Sequence, residues 1–162
     1  MSSPSLRHGE TQLSVPTAPP STAHAEKAFE AFAVGDAATF GKTITDADIV
    51  LFAGLSGDTY PLHVDDEYAK TTRFGRRVAH GMLSASLLST VTGLLLGTPG
   101  AIYVEQTLRF RRPVFIGDTL TAKTEVMSID VAKRRLHCAT TVANQDGKLV
   151  IDGTAVLQKD RQ

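Results

Sequence analysis

The sequence has one cysteine, no net charge and no long uninterrupted apolar run. Seventeen Lys and Arg balance seventeen Asp and Glu. A neutral chain offers no electrostatic reason to bind nucleic acid or an anionic membrane. Cys138 alone forbids an intrachain disulfide and fits a reducing compartment. The N-terminus has no charged segment followed by an apolar one, so no secretory signal is expected. The longest apolar stretch, Met82 to Leu96, is broken by Ser84, Ser86, Ser89, Thr90 and Thr92, and is short for a bilayer span. There is no Cys/His cluster of metal-site spacing, no glycine-rich phosphate loop and no internal repeat. These absences leave a soluble cytoplasmic protein as the expectation, with no membrane or nucleic-acid partner and no metal.

A chain of 162 residues suits a single domain with a tail. Met1 to about Ala25 is rich in Ser, Pro and Thr and lacks periodicity. It reads as a disordered extension, or as an arm that docks on a partner, leaving 26–162 as the domain. A short helical lead-in, Ala25 to Val34, precedes a strand at Ala38 to Thr43. Thr45 then resembles an N-cap, with Asp46 and Asp48 in the first turn, where the helix dipole favours carboxylates. Ile49, Phe52, Ala53 and Ser56 follow helical spacing, and Gly57 is a natural stop. Asp65 can cap a second short helix reaching about Thr72.

His80 to Gly97 is the longest predicted helix. Its apolar residues spread over more than one face, as in a buried helix. Beyond it the period becomes two. Ile102 to Phe110, Leu120 to Val126, Leu136 to Val142 and Val150 to Val156 predict four strands, with Asp146-Gly147 marking a two-residue hairpin. Cys138 falls in one of these alternations as a core residue. An antiparallel sheet wrapped on the long helix buries both patterns, which gives an α+β domain.

Chemistry concentrates between Ser56 and Leu96. Asp58-Thr-Tyr-Pro61-Leu-His63 places an acid and an imidazole on either side of a proline, and His80-Gly81 opens the long helix. Asp58 and His63 are badly spaced for one helix face. A tight loop stiffened by Pro61 lets both converge on one water, where a carboxylate accepts a proton and an imidazole holds or donates one. The plainer reading is a turn-forming Asp58 and a solvated His63. Gly81 sits where the first helical N–H groups lack partners, and it permits close approach of a carbonyl or simply lets the chain enter the helix. His80 reads as supporting structure, a cap or a buried hydrogen-bonder.

This run resembles the hydratase motif of the MaoC-like (R)-specific enoyl-CoA hydratases, which have the hot-dog fold. The resemblance extends over roughly Val34 to Leu157, with Asp58, Pro61, His63 and His80-Gly81 in the family's order. Many members carry Asn before the proline, where this chain has Tyr60. The resemblance implies a single hot-dog domain that dimerises. It implies a hydro-lyase adding water syn to trans-2-enoyl-CoA to give (R)-3-hydroxyacyl-CoA, reversibly and without a cofactor beyond the coenzyme A of the substrate. Asp58 would act as base, His63 would deliver the proton to C2, and the Gly81 N–H would hold the enolate-like oxygen. Ser89 matches a serine placed near the active site in some members, or bonds its own helix. Arg73, Arg76, Arg77, Arg111 and Arg112 are candidates for the coenzyme A phosphates, since arginine suits phosphate geometry.

Two other functions remain open at the level of sequence. A hot-dog thioesterase generally needs a carboxylate on or near the central helix, and no Asp or Glu occurs between Glu67 and Glu105. A non-catalytic acyl-CoA binding module would not need the Asp58–His63 pair.

Overall fold

A computed structural model describes residues 27–97 and 100–160. The extension expected over 1–25 lies outside the described residues. After a 3₁₀ turn at Phe29–Ala31 comes strand β1, Ala37–Thr43. Helix α1, Asp46–Ser56, starts on a capping box. The Thr45 hydroxyl accepts from the Asp48 N–H at 3.3 Å, and an Asp48 carboxylate oxygen accepts from the Thr45 N–H at 2.8 Å. It ends at Gly57, whose φ of 76° is the left-handed geometry glycine adopts freely. Two short helices follow, α2 (Pro61–Val64) and α3 (Asp66–Lys70), before the long helix α4, Gly81–Leu96.

The remaining strands are β2 (Ala101–Gln106), β3 (Arg109–Phe110), β4 (Thr119–Asp130), β5 (Arg135–Ala143) and β6 (Leu149–Lys159). They form one antiparallel sheet in the order β1-β4-β5-β6-β2, with β3 also on β6. In β4 and β5 the predicted faces hold. Leu120, Ala122, Thr124 and Val126 are buried, as are Leu136, Cys138, Thr140 and Val142. That face curls around α4, whose Leu83, Leu87, Leu88 and Val91 meet Leu120, Ala122, Val142, Val150 and Ile151. Toward its far end Leu95 and Leu96 pack with Val126, Leu136, Leu157, Phe29 and Phe32. This is the hot-dog arrangement. Burial pushes the Cys138 thiol up to about 11, so little thiolate forms near neutral pH and the residue fills core.

Three local expectations are corrected. The run Ile102 to Phe110 is two strands, because Thr107 turns in against Gly153 on β6 and interrupts the ladder. The Asp146-Gly147 turn is longer than two residues. Asn144 Oδ1 accepts from the Asp146 and Lys148 N–H groups, and Gly147 alone takes positive φ, where a two-residue type I′ turn needs two such residues. Finally, α4 is not covered all round by the described residues: Met82, Ser86, Ser89 and Thr90 are exposed.

The C-terminal end of α4 is held by a buried lysine. Lys159 Nζ donates to the Leu96 and Gly97 carbonyls at 3.1 and 3.2 Å. These carbonyls are the acceptors a helix end leaves over, and a cation there also meets the negative pole of the dipole. Lys159→Met removes the donors and leaves buried carbonyls unpaired. The expected loss is about 1–3 kcal/mol of stability, read as a lower urea midpoint at unchanged slope.

Candidate active site

The loop after α1 and the start of α4 are brought together by short, specific contacts. Once Gly57 has turned the chain, the Asp58 N–H donates to Ser56 Oγ at 3.2 Å, and the Tyr60 N–H donates to Asp58 Oδ1 at 3.2 Å. Pro61 occupies the first position of α2, where its fixed φ suits a helix start. The predicted extended loop is thus a bend followed by one helical turn that carries His63. Val78 and Ala79 are tied to the far side of the cleft. Val78 bridges to Phe115, and the Ala79 N–H donates to the Val114 carbonyl at 2.8 Å. His80 and Gly81 are held at the mouth of α4 in consequence.

His63 Nδ1 lies 2.6 Å from the Val78 carbonyl oxygen. A carbonyl accepts only, so Nδ1 carries the hydrogen and Nε2 of the neutral ring keeps its lone pair. His80 Nε2 donates to the Asp58 carbonyl at 2.9 Å, and the two imidazoles stack at 3.9 Å with 28° between planes. An Asp58 carboxylate oxygen and one ring nitrogen from each histidine all lie within 4.8 Å of one another. Such atoms are also metal-ligand types.

Beside this cluster lies a cleft of about 300 Å³. His63, Gly81 and Ser84 border it on one side, and Phe110, Val114 and Ile151 on the other, with Arg73, Arg111 and Arg112 also in its lining. Asp58 stands outside this lining. The Gly81 N–H has no acceptor among the described residues. A Cβ at Gly81 would lie 2.9 Å from the Phe110 ring, so a side chain here would crowd the cleft wall. The arrangement offers a carboxylate and an imidazole lone pair beside an unpaired backbone donor, at the edge of an apolar pocket with cationic residues.

The arginines separate into distinct groups. Arg77 binds Asp46 and Asp66 at 2.8 and 2.9 Å, clamping α1 to α3. Arg76 lies 3.9 Å over the Phe115 ring and does not line the cleft. Arg111 pairs with Asp152, whose carboxyl it holds below the usual range, and Arg112 donates to the Leu149 carbonyl. Arg73 lies 4.8 Å over the Phe74 ring and has no carboxylate partner among the described residues. Ser89 is on the exposed face of α4, away from this cleft.

The family profile described as "MaoC like domain" matches residues 30–147. The chain belongs to the MaoC-like family. It is 49% identical over 129 residues to the (R)-specific enoyl-CoA hydratase of Rhodospirillum rubrum, spanning 80% of this chain and 89% of that one. To the (R)-specific enoyl-CoA hydratase of Aeromonas caviae it is 42% identical over 125 residues, or 77% and 93% of the two chains. Its fold superposes with a TM-score of 0.77 on the unliganded R-hydratase PhaJ1 of Pseudomonas aeruginosa, at 44% identity over 83% of this chain and 86% of that one.

Within this MaoC-like chain, Tyr60 takes a defined place. Its N–H holds Asp58, its ring meets His63 edge-on at 6.1 Å, and its hydroxyl pairs with that of Tyr68 at 3.0 Å. Ser84 and Phe110 are among the cleft residues that the sequence motifs do not mark. Ser84 had a usable signal, since it follows His80 by four positions and Gly81 by three. Phe110 had none, because its strand reaches Gly81 only through the curl of the sheet.

Proposed function

We propose that the protein is an (R)-specific enoyl-CoA hydratase, adding water syn to trans-2-enoyl-CoA to give (R)-3-hydroxyacyl-CoA, reversibly. The observation that carries this reading is the Asp58–His63 pair beside the unpaired Gly81 N–H, in a MaoC-like chain. Asp58 and His63 Nε2 hold one water between them. As the water oxygen bonds to C3, Asp58 takes one of its protons, which passes to the free Nε2 of His63 and from there to C2 on the same face, so that Asp58 is ionised again and Nε2 recovers its lone pair. The Gly81 N–H donates to the thioester oxygen as negative charge gathers there. Such a donor contributes most when it is already aimed at the developing charge. The reaction needs no cofactor beyond the coenzyme A of its substrate.

The site's surroundings support the rest of the reading. Arg73, exposed and without a carboxylate partner, is the residue we assign to a coenzyme A phosphate. Arg73→Ala should raise KM for an enoyl-CoA several-fold with kcat nearly unchanged, and the difference should shrink as salt is added. We further propose a cytoplasmic homodimer. Strand β2 is a free sheet edge with Ile102, Tyr103 and Val104 about two-fifths exposed, and an exposed apolar edge calls for a partner. No helix among the described residues is long and apolar enough to cross a membrane.

The deciding assay follows loss of the enoyl absorbance with trans-2-enoyl-CoAs and identifies the product by chiral analysis. The (R)-3-hydroxyacyl-CoA is expected. Free thiol release would instead indicate a thioesterase, although α4 carries no carboxylate that could serve one. Binding without turnover would indicate an acyl-CoA binding module.

A further inference from the structure

Two buried side-chain polar atoms among the described residues lack a hydrogen-bond partner, His80 Nδ1 and Ser84 Oγ. Their residues are 2% and 1% exposed. They stand four positions apart where α4 begins, His80 at the N-cap and Ser84 in the first turn. Their needs are opposite. His80 Nε2 donates to the Asp58 carbonyl, so Nδ1 of the neutral ring is an acceptor. Ser84 has a hydroxyl hydrogen and no recorded acceptor for it. Neither has a protein partner, and a single water that donates to Nδ1 and accepts from Oγ satisfies both.

We propose that Ser84 passes its hydroxyl hydrogen bond to His80 Nδ1 through one enclosed water, and that the two are positioning residues for the Asp58–His63 pair. The bond fixes the His80 tautomer. With the proton on Nε2, His80 holds the Asp58 backbone at 2.9 Å and lays its ring against His63 at 3.9 Å. With the proton on Nδ1 instead, a nitrogen lone pair would face the carbonyl oxygen of Asp58, and the two acceptors would repel. The loop bearing Asp58 has otherwise mainly local ties, to Ser56 and within the Asp58–Tyr60 turn. Ser84 therefore acts on the carboxylate through His80. What that carboxylate does rests on the hydratase reading, whereas the hydrogen bond does not.

The test joins spectroscopy to kinetics on the full-length protein. Long-range proton–nitrogen spectra, with His80 assigned through His80→Gln, should show the Nε2–H tautomer. The Nδ1 resonance should move downfield in Ser84→Ala and return in Ser84→Thr, which keeps the hydroxyl. In parallel, Ser84→Ala should lower kcat about tenfold with KM unchanged, short of the roughly 10²-fold that a full 1 Å misplacement can cost, and Ser84→Thr should recover it. An Nδ1 resonance indifferent to the Ser84 hydroxyl overturns the hydrogen bond. A Ser84→Ala effect confined to KM overturns the positioning role and makes Ser84 a substrate contact. A wild-type protein that hydrates no enoyl-CoA fails the functional reading and the positioning role built on it, while the nitrogen spectra still decide the bond itself.

Discussion

Asp58→Asn is expected to lower kcat for crotonyl-CoA hydration by about 10²–10⁴-fold with the fold intact. Asn is nearly isosteric with Asp and keeps an oxygen that can accept from the Tyr60 N–H, so the bend after Gly57 persists. It cannot take a proton from water, which is the property the reaction uses. His63→Gln should cost a similar factor, because the group that delivers the proton to C2 is gone. That variant also loses the 2.6 Å bond to the Val78 carbonyl and the stack on His80, so it should melt somewhat lower than Asp58→Asn. Circular dichroism and a thermal melt separate the two effects. Near-wild-type turnover in either variant would remove the pair from the chemistry.

The largest effect on stability is expected from Gly153→Ala. A Cβ there would sit 1.8 Å from the Thr107 carbonyl oxygen, 2.8 Å from its carbon and 3.1 Å from Gln106 Nε2. None of these is the loose end of a side chain. Thr107 is tied to Thr154 through both backbone and hydroxyl, and Gln106 Nε2 is bonded to Thr140 Oγ1 and the Thr107 carbonyl. To admit one methyl, the chain between β2 and β3 must leave β6. A loss of about 4 kcal/mol or more is expected, a large share of the roughly 5–15 kcal/mol that folds a typical domain. Gly54→Ala is the control. Nothing lies within 4 Å of that position on the exposed side of α1, and alanine there should stabilise by about 0.5–1 kcal/mol. Equal melting temperatures for Gly153→Ala and wild type would show that the β2–β3 junction is softer than its hydrogen bonds imply.

These expectations divide according to what local chemistry can encode. The capping box at Thr45, the stop at Gly57, the long α4 and the alternating faces of β4 and β5 depend on neighbours within one turn or one strand, so they were readable in the chain. The break in the strand from Ile102 to Phe110 was not, because its cause, Gly153, lies on another strand. The candidate site divides in the same way. Asp58, Pro61, His63 and Gly81 stand in a recognisable order, and the fold gathers the acid and the imidazoles within 4.8 Å. The five arginines look alike in sequence. Only their tertiary partners separate Arg77, clamped by two carboxylates, from Arg73, which has none among the described residues.

The sequence by itself determined the family, the class of fold and the residues able to handle a proton, because all of these follow from residue types at short, fixed spacings. The tertiary structure alone decided which ring nitrogen of each histidine keeps its lone pair, which polar atoms are buried without a partner and which cations border the cleft. Each of those depends on a carbonyl, carboxylate or ring supplied by a distant part of the chain, and no local spacing specifies such a meeting.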